Sequence, residues 1–175
     1  MKALVVYESM WGNTRRVAEA IGGAMADRME IRMGDVSDIA PEEAGSYDLV
    51  VVGAPTHALS LSRPNTRTAA HEQGAPDTAS TTGLREWIAG LPEPTNAVLA
   101  CFDTRADRVR KLPGSAAHKA RRMLRRAGWK VMADQTFYVD DSAGPLMTGE
   151  TERAAAWAHH LVERLSTRTS PAAMP

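Results

Sequence analysis

Lys2-Ala3-Leu4-Val5-Val6-Tyr7, Glu8-Ser9-Met10-Trp11-Gly12 and Asn13-Thr14-Arg15-Arg16-Val17-Ala18 follow one another at the start of the chain, and their reading decides the fold. Residues 2–7 form a short β-branched run of the kind found in a buried strand. Turn-forming residues fill Ser9 to Asn13. From Thr14 to Arg28 the apolar residues Val17, Ala18, Ile21 and Met25 recur at helical spacing on one face. Strand, polar loop and helix thus stand in direct succession.

The rest of the chain repeats that alternation. A weaker strand is expected over 29–33, and a short helix over 37–47 with Pro41 near its start. Asp48 to Ala54 is a third strand, apolar on both faces, and Pro55 ends it. Residues 56–82 read as irregular, with a short helix over 64–71 and a mobile loop over 72–82. Leu84 to Leu91 is helical, and Ala97 to Phe102 is a fourth strand, followed by a basic loop over 104–114. Ser115 caps a helix reaching Ala127, and Gly128 stops it. Lys130 to Val139 is the fifth strand, and a last helix runs from Thr148 or Gly149 to Leu165. Alternating strands and helices predict an α/β domain over residues 1–166, its parallel sheet covered by helices on both faces. Residues 167–175 are expected to be a flexible tail. In such a sheet a ligand sits outside the strand C-termini where the winding reverses. The loops after the first, third and fourth strands are therefore the ones to search.

Composition narrows the class. With 43% hydrophobic and 24% charged residues, the chain reads as an ordinary soluble globule. No apolar run approaches the roughly 20 residues that cross a bilayer, so no membrane partner is expected. No cleavage site follows residues 1–6, so no signal peptide is expected either. Cys101 is the only cysteine, which excludes an internal disulfide and points to a reducing, cytoplasmic setting. It reads as a small buried hydrophobe. Residues 105–130 hold ten Lys/Arg and one Asp, a local +9 in a chain of zero net charge. That stretch is either a solvated helix face or a docking face for an acidic partner. No nucleic-acid motif accompanies it. No histidine has metal-ligand spacing with carboxylates, and no residue is assigned a catalytic role.

The loop Ser9-Met10-Trp11-Gly12-Asn13-Thr14 carries the chemistry. It offers hydroxyls at both ends, a glycine that allows close backbone approach, and amides at a helix N-terminus, where anions are favoured. There is no Walker lysine and no Gly-x-Gly-x-x-Gly. The loop resembles the flavodoxin phosphate loop, Ser/Thr-x-Thr-Gly-x-Thr, matching it at Ser9, Gly12 and Thr14, with Trp11 in place of a threonine. Its Ser-Met-aromatic-Gly form is similar to the flavodoxin-like domains of flavodiiron proteins and of the quinone-reductase branch. Gly53-Ala54-Pro55-Thr56-His57 resembles the Gly-x-Pro-Thr segment that borders the isoalloxazine in that family. Phe102-Asp103-Thr104-Arg105 stands where the other wall lies.

The resemblance implies a flavodoxin-like three-layer sandwich with a five-stranded parallel sheet of order 2-1-3-4-5, and FMN as cofactor. Ser9, Gly12, Asn13 and Thr14, with the amides of Met10 and Trp11, would bind the phosphate. Pro55, Thr56 and His57 would line one side of the ring, and Asp103, Thr104 and Arg105 would approach its pyrimidine side. The expected function is flavodoxin-like electron transfer with a redox partner protein of acidic character. Two alternatives stay open. One is a quinone or flavin reductase that uses NAD(P)H. The other is an interaction module of the same fold without FMN. The ring-side cations His57, Arg105, Arg108 and Arg110 predict a midpoint less negative than that of an acidic flavodoxin.

Overall fold

The structure is a computed structural model and describes residues 1–169. Five strands, β1 (Lys2–Tyr7), β2 (Glu30–Asp35), β3 (Leu49–Pro55), β4 (Val98–Ala106) and β5 (Lys130–Val139), form one parallel sheet in the order β2-β1-β3-β4-β5. Five α-helices flank it: α1 (Asn13–Met25), α2 (Pro64–Glu72), α3 (Leu84–Ala89), α4 (Ala116–Arg126) and α5 (Glu150–Thr169). A 3-10 helix, Pro41–Ser46, stands where the short helix over 37–47 is expected.

The central strands are apolar on both faces because each face has its own helical layer, as alternation along a strand requires. Leu4, Val6, Val50, Val52, Leu99 and Cys101 point into the layer holding Trp87 and Ile88 of α3 and Leu124 of α4. Ala3, Val5, Leu49, Val51, Ala100 and Phe102 point into the layer of α1 and α5. Gly53 belongs to the second side, and there the strand has no room for a side chain. A Cβ at Gly53 would stand 2.0 Å from the Phe102 ring. The Phe102 ring meets Phe137 edge-on, and Phe137 meets Trp157 in the same way, tying α5 to the sheet.

The structure departs from expectation in three places. β4 continues to Ala106, so Asp103, Thr104 and Arg105 lie in the strand rather than in a loop. They stay extended because β3 pairs with Asp103 and Thr104 while β5 pairs with Thr104, Arg105 and Ala106. The segment expected as a mobile loop over 72–82 folds back on the β1 loop, with Ala75, Ala79 and Ser80 buried. Finally, α5 runs through residues 167–169, with the Ser166 hydroxyl donating to the Val162 carbonyl at 2.9 Å. The rest of the expected flexible tail, residues 170–175, lies outside the described residues.

From β1 the chain moves outward to β2, then crosses back over β1 to β3 and onward. The winding reverses between β1 and β3, so the loops after these strands separate and leave a crevice above the sheet.

Candidate functional site

The loop between β1 and α1 is built around Ser9. Its hydroxyl accepts from the amides of Gly12 at 3.1 Å and Arg15 at 3.3 Å, doing the work of a helix cap from outside the helix. Gly12 sits at φ +84, a left-handed conformation that suits glycine. The Ser9 amide donates to the Ser80 hydroxyl at 2.8 Å, and the Ser80 amide donates back to the Ser9 carbonyl at 3.0 Å. Ser80 also donates its hydroxyl to Asp35 at the end of β2. Ser9 is thus engaged on every side by the protein. In contrast, among the described residues the amides of Met10, Trp11, Asn13 and Thr14 donate to no protein acceptor. These groups point where the dipole of α1 favours an anion.

A cleft of about 270 Å³ opens beside this loop. Met10, Trp11, Asn13 and Thr14 line it from the β1 loop, Pro55, Thr56, His57 and Ala58 from the end of β3, Thr104 and Ala106 from β4, and Val139 and Ser142 from the end of β5. Its roof is α2, through Thr66, Ala69 and Ala70, and Gln73 just after it. Ala70, Ala75 and Ala79 pack on Met10, with Trp11 alongside, so small residues let the 64–79 segment lie close over the loop. The Asn13 side-chain amide donates to the Ala143 carbonyl at 3.0 Å and links the loop to the far wall. The Thr14 and Thr104 hydroxyls lie 2.7 Å apart and share a hydrogen bond across the floor.

Strand alternation sorts the three residues expected on the pyrimidine side. Thr104 faces α1 and the cleft. Asp103 and Arg105 face the α4 layer, and neither lines the cleft. Asp103 is fully buried and accepts from the Thr56 hydroxyl at 3.1 Å and from the Ala117 amide at 2.8 Å. Burial pushes its carboxyl above the usual range, opposed by hydrogen bonds from Ser115, Ala117, Thr136 and Thr56. Arg105, 6% exposed, donates to the carbonyls of Val109 and Leu112 and so holds its own loop closed. Sequence alone showed the side-chain chemistry at these positions but not the strand face.

The other expected ring-side cations are also engaged. Arg108 pairs with Asp141 at 3.0 Å. Arg110 pairs with Asp107 at 3.2 Å and lies 3.9 Å above the Tyr138 ring. His57 alone among them lines the cleft. Burial, with a smaller contribution from the Arg67 charge, lowers its pKa, so it stands neutral at pH 7. It begins a tight turn closed by mutual backbone hydrogen bonds with Ser60 at 2.9 and 3.0 Å. Ala58 and Leu59 in that turn carry φ of 46 and 59, a costly conformation for residues with a Cβ. The surrounding structure therefore holds His57 in place against local strain.

Beneath the loop, Glu8 is completely buried at the end of β1. One carboxyl oxygen accepts from the Leu84 amide at 2.8 Å; the other has no partner. Burial raises its pKa. Nearby, Arg67 of α2, 7% exposed, donates to Ser62 at 2.8 Å and pairs with Glu86 at 3.3 Å, anchoring the base of the roof. Sequence reasoning did not single out Glu8, Arg67 or the roof residues. The length of the 56–82 segment was the available signal. Cys101 is buried and its thiol is pushed upward by burial. No cluster of His, Cys, Asp and Glu able to hold a metal occurs among the described residues. Among the same residues no helix is long and apolar enough to cross a membrane.

Comparison with known proteins agrees with this architecture. A family profile described as a flavodoxin domain matches residues 4–66, which run from β1 through the loop after it, α1, β2 and β3 to the start of α2. Flavodoxin 2 from Bacillus cereus, in its oxidised form, is similar in structure with a TM-score of 0.68 at 18% identity, covering 94% of this chain and 99% of that one. A flavodoxin from the domain Archaea is similar with a TM-score of 0.63 at 19% identity, covering 95% and 99%. The flavodoxin, WrbA-like protein of Agrobacterium tumefaciens is similar with a TM-score of 0.57 at 15% identity, covering 95% and 98%. The chain therefore has the flavodoxin fold, and its first third matches the flavodoxin-domain profile.

Proposed function

We propose that this chain binds FMN in the cleft and acts as a redox flavoprotein that transfers electrons. The observation that carries this reading is the set of unengaged amides of Met10, Trp11, Asn13 and Thr14 at one end of a cleft whose other walls mix apolar and polar side chains. That donor set suits a phosphate, and the walls suit a flat heterocycle. The amides and the Thr14 hydroxyl would hold the phosphate at the N-terminus of α1. Trp11, Pro55, His57, Ala106 and Val139 would border the ring. When bound, FMN supplies the one- and two-electron chemistry that no side chain of the cleft provides. The protein's part is to bind the anion, exclude water under α2 and set the charge around the ring.

That charge differs from the one expected from sequence. Arg105, Arg108 and Arg110 are held by carbonyls, carboxylates and Tyr138, and His57 is neutral at pH 7. The basis for a less negative midpoint is therefore reduced to weak, screened charges at the rim.

The partner in this reading is an acidic redox protein. Arg122, Arg126 and Lys130 are exposed in and just after α4 and, among the described residues, form no ion pair. A second reading, an NAD(P)H-dependent quinone or flavin reductase, is favoured by the roof of α2, which encloses the cleft as a substrate site would be enclosed. Reconstitution with FMN, desalting and an absorption spectrum test the first claim. Steady-state NAD(P)H oxidation with a quinone then separates a reductase, which turns over, from a carrier, which does not.

A further inference from the structure

Among the described residues His57 is the one titratable side chain that lines the cleft; every other lining residue is neutral at any working pH. At the β1 loop the cleft has amide donors for one anion, but no charged side chain stands along the rest of its wall. Charge that arrives away from that loop therefore has a single group beside it able to respond by taking a proton.

The backbone holds this imidazole at the wall. The Thr56 amide donates to the Thr104 carbonyl at 2.8 Å, and the His57 and Ser60 backbones bond to each other. The 110–114 segment closes on the same turn, since a Cβ at Gly114 would stand 2.8 Å from the Leu59 carbonyl oxygen. The charged groups around the turn are mostly committed elsewhere. Arg67 of α2 pairs with Glu86, Arg108 with Asp141 and Arg110 with Asp107, while Asp103 lies behind Thr56 on the α4 side of the sheet. Arg63 and Lys111 are exposed, where salt screens them. The charge that acts on His57 is that of Arg67, which adds to burial in disfavouring the imidazolium, against a weaker hydrogen bond to the Thr66 backbone.

We propose that His57 is the proton acceptor linked to reduction of the bound cofactor: it is neutral while the ring is oxidised and takes up a proton when the ring is reduced. The inference rests on the FMN reading. Two electrons from an external donor and one proton convert a neutral isoalloxazine ring into a reduced ring with one negative charge. A second proton then has two destinations, N1 of the ring or the free imidazole nitrogen. A new negative charge inside a cleft without other charged side chains favours the charged form of a histidine in its wall. Under the roof of α2 that attraction is screened less than at the surface. His57 takes the proton, and the imidazolium and the reduced ring together carry no net charge. The imidazole then has a second N–H to donate.

The test uses the FMN-loaded protein and His57→Gln, which keeps a polar side chain and removes the titration. Histidine ring signals are followed by NMR through pH titrations of the oxidised and the fully reduced protein, His57 being assigned by its absence in the variant. Its proton affinity is expected to rise about tenfold or more on reduction, while His71 and His118, outside the cleft, stay where they were. The midpoint potential, measured against pH with an electrode as the donor, should follow about two protons per two electrons between the two His57 titrations in the wild type, and about one in His57→Gln over the same range. If His57→Gln does not hold FMN, the wild-type titrations decide alone, since one histidine signal of the five must respond to reduction. A His57 titration unmoved by reduction overturns the proposal and leaves the cofactor reading intact. Two-proton behaviour retained in His57→Gln also overturns it, by assigning the proton to the ring. Failure of the wild type to bind FMN overturns the cofactor reading itself.

Discussion

The loop after β1 and the end of β4 face each other across the cleft, and both are rich in polar groups, but they are used in opposite ways. After β1 Ser9 and the side chains of Asn13 and Thr14 are bound up in the protein, while the backbone amides of Met10, Trp11, Asn13 and Thr14 stay unengaged. At the end of β4 nearly everything is engaged internally: Asp103 by Thr56 and Ala117, and Arg105 by the carbonyls of Val109 and Leu112. Both regions looked like ligand sites in sequence. In the proposed reading the capacity to bind belongs to the one whose donors have no partner, and the other supplies rigidity to what lines the opposite wall.

This contrast can be broken in a defined order. The largest effect is expected for Arg105→Ala. It removes a buried cation and frees two carbonyls, so chemical unfolding should show a loss of roughly 2–4 kcal/mol. FMN affinity of the folded fraction should change little; a collapse of affinity with stability unchanged would place Arg105 in the binding wall after all. Thr14→Ala should act the other way, with a small stability change and FMN binding weaker by about 1.5–3 kcal/mol, or ~10–150-fold, read by fluorescence titration. Gly12→Ala meets no atom within 4 Å, so its only penalty is conformational. A left-handed residue with a Cβ costs about 1–2 kcal/mol, which a melting experiment should detect together with weaker FMN binding.

The smallest effect concerns Glu8. Its folded pKa is raised by burial. The stability tied to its neutral form is therefore fully present below the ordinary carboxylate range and is lost as pH rises through the folded pKa. Glu8→Gln should melt higher than wild type at pH 8, with the difference closing by pH 4. A difference that stays constant across that range would show that Glu8 is not titrating in the folded protein.

Much of this was legible in the sequence because burial imposes patterns. Strands such as Leu4-Val5-Val6 and Val50-Val51-Val52 are apolar on both faces only where helices cover both, which fixed the class of sheet. Gly12 and Ser9 marked the β1 loop through local requirements of a turn and a cap. Asp103 and Arg105 were read by chemical type, but their direction depends on pairing with β3 and β5, which no local pattern reveals. The roof escaped for a similar reason. Ala70, Ala75, Ala79 and Ser80 look like loop composition, yet small size is what lets them lie against Met10, and the bonds between Ser80 and Ser9 span 71 residues.

The central claim is that the unengaged amides of the β1 loop and the cleft beside them hold FMN. The most direct measurement is the visible absorption spectrum of purified protein after incubation with FMN and desalting. Flavin bands retained with the protein, and lost in Thr14→Ala under the same conditions, are the predicted result. A colourless wild-type protein that also leaves FMN fluorescence unchanged on titration would contradict the account.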